Sequence, residues 1–202
     1  GFTSFAEDRV TAFLDNSKGF AYDGNYRGYV GLAKSGKEEP LTTHADHYNL
    51  NAAYSPAVYS KGEVFMEQLG YIVGAPVRDN ILLEYYKQWR FKHPNTTDFI
   101  RIAEKVSDMK LDWYKEYWIN STKTIDYSID SLWEENGMTN VRIKRNGLMP
   151  MPIDVQLTFK DGSKEMHYVP LDLMYGLKPI EDKTFARKVY EPWHWTSETF
   201  II

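Results

Sequence analysis

Apolar residues recur with a period near 3.6 over the first part of the chain and with a period of 2 over the remainder, the change falling close to residue 121. Phe2, Phe5, Ala6, Val10, Phe13 and Leu14 share one face of a helix already running at the second residue. Between Lys18 and Asn51 the periodicity is lost. Gly19, Gly24, Gly28, Gly31 and Gly36, with Asp23 and Asn25, predict a long irregular segment of the kind that is functional or crosses a surface. Ser55-Pro56 restores order: serine suits an N-cap, and proline suits the first helical position, where its missing N–H would go unpaired anyway. Val58, Phe65, Leu69 and Ile72 then trace a helix that stops near Gly74. A second helix is predicted from about Pro76 to Arg90, and a third, capped by Thr97-Asp98, through Phe99, Ile102, Ala103 and Val106. A fourth runs around Leu111, Tyr114 and Trp118.

Beyond Ser121, Ile125, Tyr127 and Ile129 alternate with polar neighbours, as do Val141 and Ile143. Met151, Ile153, Val155, Leu157 and Phe159 form the clearest strand, with turn chemistry at Asn146-Gly147 and Asp161-Gly162 on either side. The predicted fold class is therefore α+β, with α-helical residues 1–121 followed by antiparallel β residues 122–202.

Composition narrows the chemistry. There is no cysteine, which removes disulfides, thiolate nucleophiles and cysteine-ligated metals together. Lys plus Arg number 24 against 28 Asp plus Glu, a balance that argues against a nucleic-acid partner. The longest apolar runs, such as Ile81-Leu82-Leu83, are far too short for a membrane segment. No G-x-S-x-G, phosphate-binding loop, dinucleotide fingerprint or H-E-x-x-H occurs.

Two places could carry chemistry. His44-Ala45-Asp46-His47 sets two imidazoles three residues apart with a carboxylate between them, but no third metal ligand has sensible spacing, and a polar loop is the plainer reading. His93, His167 and His194 are isolated, and His93, before Pro94, is placed to cap the last carbonyls of a helix. The run Tyr54 to Gly62 is richer. Tyr59 falls in the first turn of the predicted helix, where a neutral phenol can face a cleft and donate to an oxyanion. Gly62 inside a helix costs roughly 1 kcal/mol relative to alanine, so something is expected to pack closely on that turn. Spacing alone is also met by a pair of core tyrosines.

Tyr54 to Gly70, then Trp89-Arg90-Phe91-Lys92-His93-Pro94, Asp98-Phe99 and Leu111-Asp112-Trp113, resemble in order the zinc aminopeptidases of the aminopeptidase N and leukotriene hydrolase (gluzincin) family. Gly1 to Glu7 is similar to the segment that follows the glutamate zinc ligand in that family, and Asn146 to Val155 with Asp161-Gly162 resembles its small β-sandwich. The resemblance implies the helical half of a thermolysin-like catalytic domain followed by an antiparallel β-sandwich. It assigns to Tyr59, in Tyr-x-Lys-Gly, the hydrogen bond to the tetrahedral intermediate, and places Tyr54 along the same peptide-binding cleft. It also implies a departure: H-E-x-x-H, the glutamate ligand and the amine-binding Gly-x-Met-x-Asn segment would all lie upstream of Gly1. Zinc is thus expected in the parent enzyme and not bound to these 202 residues, which should be inactive alone. A surface left bare by a missing helix, including Phe2, Phe5 and the Tyr54–Tyr59 face, is expected to favour self-association. The alternative is a non-catalytic peptide-binding or assembly module on the same scaffold, against which the intact Tyr-x-Lys-Gly speaks.

Overall fold

The computed structural model describes every residue except Asp182, Lys183 and Phe185, and the chain is α+β. Its helices are α1 (Phe2–Leu14), α2 (Asp23–Ser35), α3 (Asn51–Ser55), α4 (Gly62–Val73), α5 (Ala75–Trp89), α6 (Thr96–Ser107) and α7 (Asp112–Trp118). Among the described residues six strands follow: β1 (Tyr127–Glu135), β2 (Met138–Arg145), β3 (Ile153–Thr158), β4 (Lys164–Val169), β5 (Arg187–Val189) and β6 (Thr199–Ile201). The contacts divide the chain into two compact units, one of residues 1–78 with 114–122, the other of residues 79–113 with 123–202.

In the first unit, α4 is the central helix. Val64, Phe65, Met66, Leu69, Ile72 and Val73 are all buried along it. Phe65 stacks on Tyr114 at 4.9 Å between centroids, and the Tyr114 hydroxyl donates to the Phe65 carbonyl at 2.6 Å, which satisfies an otherwise costly buried phenol. Trp118 extends this aromatic layer, 6.0 Å from Tyr114 and 5.5 Å from Tyr29 of α2. On α1 the buried side is narrower than the apolar pattern predicts: Phe5 is buried and stacked on Tyr22 at 5.4 Å, whereas Val10, Phe13 and Leu14 are exposed. The inward stripe is Gly1, Ser4, Phe5, Asp8 and Ala12, so it includes a carboxylate that a hydropathy reading assigns outward.

The segment 18–51, predicted to be irregular, contains the 13-residue helix α2. Its glycines do not break the helix: Gly24 and Gly31 lie on its open side, and Gly28 marks a close contact. A Cβ on Gly28 would lie 2.7 Å from the Ser60 hydroxyl, so only glycine lets the two segments touch there. Tyr29 and Leu32 bury the inner face, and Gly36 ends the helix in the left-handed conformation at φ 68°.

Nor does a helix begin at Ser55-Pro56. Ser55 is already helical (φ −60°, ψ −52°) and α3 runs without a break into α4. Residues 56–61 between them form a widened π turn, in which the Gly62 N–H reaches the Ala57 carbonyl five residues back. Proline inside a helix lacks an N–H and crowds the carbonyl four residues earlier, and the wider turn accommodates both. Similarly, α6 is capped by Asn95 rather than Thr97: the Asn95 side chain accepts from the Asp98 N–H at 3.0 Å, and the Asp98 carboxylate accepts from the Asn95 N–H at 2.9 Å.

The second unit carries the strands, in two three-stranded sheets ordered β1-β2-β6 and β3-β4-β5. Sheet pairing is antiparallel throughout except for β4 with β5, which is parallel. The β1–β2 hairpin closes on Asn136-Gly137, both at positive φ (52° and 76°), an Asn-Gly turn whose twist matches the strands. Gly147 serves a different end: a Cβ there would come within 2.3 Å of the Thr124 carbonyl. Ile143 from one sheet and Val169 from the other share a core with Trp193, flanked by Tyr127, Ile153, Val155 and Phe200. No helix among the described residues is long and apolar enough to cross a membrane.

Candidate functional site

The Tyr59-Ser60-Lys61-Gly62 run closes the π turn, and its members meet different environments. Tyr59 is 54% exposed, so the core-tyrosine reading does not apply to it and its hydroxyl is accessible. Lys61 is fully buried. Its ammonium pairs with the buried Glu38 carboxylate at 2.5 Å, donates to the Ser121 carbonyl at 3.0 Å and lies 6.0 Å from the centre of the Tyr29 ring. Burial pulls the Lys61 ammonium below its usual range, while the bond to Glu38 opposes that shift.

Gly62 is packed as its presence in a helix suggested. A Cβ on Gly62 would lie 2.9 Å from the Gly1 Cα, and the Gly1 amine donates to the Val58 carbonyl at 2.9 Å. Gly1, the residue that precedes α1, is therefore seated on the turn that carries Tyr59. Tyr54 is half-buried on α3, with its ring edge-on to Tyr48 at 5.2 Å, and the Tyr48 hydroxyl donates to the Pro40 carbonyl at 3.2 Å. Of the predicted self-associating face, Phe2 and Tyr59 are exposed, but Phe5 is buried beneath Tyr22 and the Arg78 guanidinium.

Beside this turn lies a polar cluster linking three helices. Asn25 of α2 donates to Glu63 of α4 at 2.6 Å and to Asp8 of α1 at 3.1 Å. Glu63 is fully buried, and burial, with the hydrogen bond and charge of Asp8, pushes its carboxyl up to about 7. Burial also holds the Gly1 amine below its usual value, with the Glu63 charge opposing.

The histidines are accounted for individually. His44 accepts from the Asp46 N–H at 3.2 Å and its ring lies 5.4 Å from that of His47 in a short exposed turn. At the end of α5 the carbonyl of Gln88 receives the Lys92 ammonium at 2.8 Å, a capping contact from the neighbour of His93. His167 is buried with Nδ1 2.9 Å from the Tyr190 hydroxyl, and His194 lies 2.7 Å from the Thr196 hydroxyl. Among the described residues no three metal-ligating side chains converge. The donors present do not by themselves fit a zinc ion, which asks for three or four such groups around one point.

The Lys61–Glu38 pair and the Asp8–Asn25–Glu63 cluster went unread in the sequence. One signal pointed to the first: Lys61 falls in the register of Phe65, Leu69 and Ile72, so a charge occupies the buried stripe of its own helix. No protein-family model matches the chain, and no curated protein does.

Proposed function

We propose that the chain is part of a zinc aminopeptidase: the helical second half of its catalytic domain and the small β-sandwich that follows. Its contribution to chemistry is the Tyr59 hydroxyl, which donates a hydrogen bond to the oxyanion formed when the scissile carbonyl of an N-terminal peptide bond is attacked. A phenol suits this because it stays protonated at neutral pH and gains most where charge develops in the transition state. The observation that carries the reading is the contrast within one turn: Tyr59 is open, while Lys61 is wholly buried and Gly62 is pressed against Gly1. The turn holds the phenol and leaves its hydroxyl free. A residue joined to the Gly1 nitrogen would enter within a hydrogen bond of the Val58 carbonyl, beside Tyr59. In this reading that residue is the glutamate ligand, and H-E-x-x-H lies further upstream. Tyr54, one helical turn and a half away, lines the peptide-binding side.

The test is turnover of an aminoacyl-4-nitroanilide by the full-length gene product and by its Y59F variant. Loss of one oxyanion donor lowers kcat by about 10²–10³-fold, with KM little changed. Y59F activity within a few-fold of the parent, or an upstream sequence without H-E-x-x-H and the glutamate, overturns the reading. So does turnover with tightly bound zinc by residues 1–202 alone.

A further inference from the structure

We propose that Lys61 is the positioning residue for Tyr59: tied to Glu38 and to the Ser121 carbonyl, it locks the π turn in the register that presents the Tyr59 hydroxyl. This rests on the reading of Tyr59 as oxyanion donor and names what aims it.

A π turn holds one residue more than the α-helical path it replaces, and it persists only where its surroundings over-determine it. Here Pro56 forces the widening at one end. At the other end the Gly1 backbone packs on Gly62 and the Gly1 amine donates to the Val58 carbonyl, but neither contact fixes the side-chain direction of residues 59–61. Relaxation of residues 57–61 to the α register would rotate Tyr59 about the helix axis, away from its present direction. Lys61, two residues on, is the side chain that resists this. Its ammonium has two partners on separate segments, an ion pair with Glu38 at 2.5 Å in the stretch after α2 and a hydrogen bond to the Ser121 carbonyl at 3.0 Å after α7. Rotating the turn would withdraw a buried cation from both, leaving it unpaired away from water. The Ser60 hydroxyl packed on Gly28 fills the space on the α2 side. Charge on the buried stripe of α4 is costly to maintain, and an apolar residue at 61 would pack there without it. A tether to two separate segments is what an apolar residue would not supply.

Two variants of the full-length protein test this. E38Q leaves Lys61 without its counter-charge, and the double variant E38L/K61M removes both charges while keeping the volume, so that at least one retains the fold. Each is made with and without Y59F. Expected is a 10- to 100-fold fall in kcat at nearly constant KM in the Tyr59 background, and no further fall in the Y59F background, because the pair acts only through that hydroxyl. A parallel measurement needs no activity: with 3-fluorotyrosine at position 59, the single narrow fluorine resonance expected of the parent shifts or broadens in E38L/K61M. Equal losses in both backgrounds, or a resonance unchanged in shift and width in the folded double variant, overturn the proposal. If the full-length protein hydrolyses no aminoacyl substrate, the aminopeptidase reading fails, while the fluorine signal still decides whether the pair positions Tyr59.

Discussion

Gly1 and Gly62 meet backbone to backbone: a methyl group built on Gly62 would stand 2.9 Å from the Gly1 Cα, with no side chain between that could move aside. Two helices, α1 and α4, are thereby held at a separation only glycine permits. Introducing alanine at 62 gains roughly 1 kcal/mol of helix propensity but must displace α1, and overpacking of this kind costs about 1–3 kcal/mol. G62A is therefore expected to lower stability in urea denaturation, the net loss being smaller than the strain alone. G24A and G31A, exposed on α2 with nothing within 4 Å of the new methyl, should instead raise stability by up to about 1 kcal/mol each. A common sign for all three variants would contradict the packing described.

The start of α6 offers a second contrast. Asn95 and Asp98 exchange hydrogen bonds as a reciprocal cap, at 3.0 and 2.9 Å, while Thr97 lies inside the helix. N95A should cost about 0.5–2 kcal/mol, and T97A should be close to neutral, both by thermal unfolding. The reverse order would restore the cap to Thr97-Asp98.

Such contrasts show where local pattern suffices. The period of 3.6 located α5, α6 and α7, and the period of 2 located β2 and β3, because those elements have one wetter and one drier side; on β1 the predicted inward residue Ile129 is exposed, and the register shifts between Ile129 and Ser131. Alternation also anticipated the Asp161-Gly162 turn, where Gly162 sits at φ 85°. Failures occur where a local signal serves a tertiary purpose. Gly28 reads as a loop residue until Ser60 is known to lie against it, and Ser55-Pro56 reads as a helix start until α3 is known to precede it. The close packing on Gly62 was legible from a glycine inside a helix. Glu38, which holds Lys61, was not, since nothing in the sequence around residue 38 records a partner on another element.

Trp193 joins the two sheets. Its ring lies 5.6 Å from Tyr127 and 5.5 Å from Phe200, it is 3% exposed, and its Nε1–H donates to the Ser197 carbonyl at 3.0 Å. W193F keeps an aromatic ring but loses that hydrogen bond, whose exposed carbonyl partner water can satisfy, for a cost of about 1 kcal/mol. W193A opens a cavity in the shared core and should cost about 3–5 kcal/mol. Chemical denaturation followed by far-ultraviolet circular dichroism measures both, and W193A no worse than W193F would show that the sheets do not depend on this ring.

Glu63 makes stability fall as pH rises. Its carboxyl has an ordinary value of 4.5 and is pushed up to about 7 in the folded chain by burial and by Asp8. Between those values the folded state binds a proton that the unfolded state has released. The stabilisation associated with that proton is complete below about 4.5, declines as pH rises through the window and is gone above about 7. The Gly1 amine, held below its usual 8.0 by burial, contributes a slope of the opposite sign, so the informative quantity is the difference between the chain and E63Q. Glutamine reproduces the protonated acid: its carbonyl can accept from Asn25 and its amide can donate to Asp8, with no charge to bury. E63Q is therefore expected to match the parent near pH 5 and to exceed it in stability at pH 8, as measured by urea midpoints across that range. Parallel curves for the two proteins would mean that Glu63 titrates alike in the folded and unfolded states, and that the Asp8–Asn25–Glu63 cluster holds no proton at neutral pH.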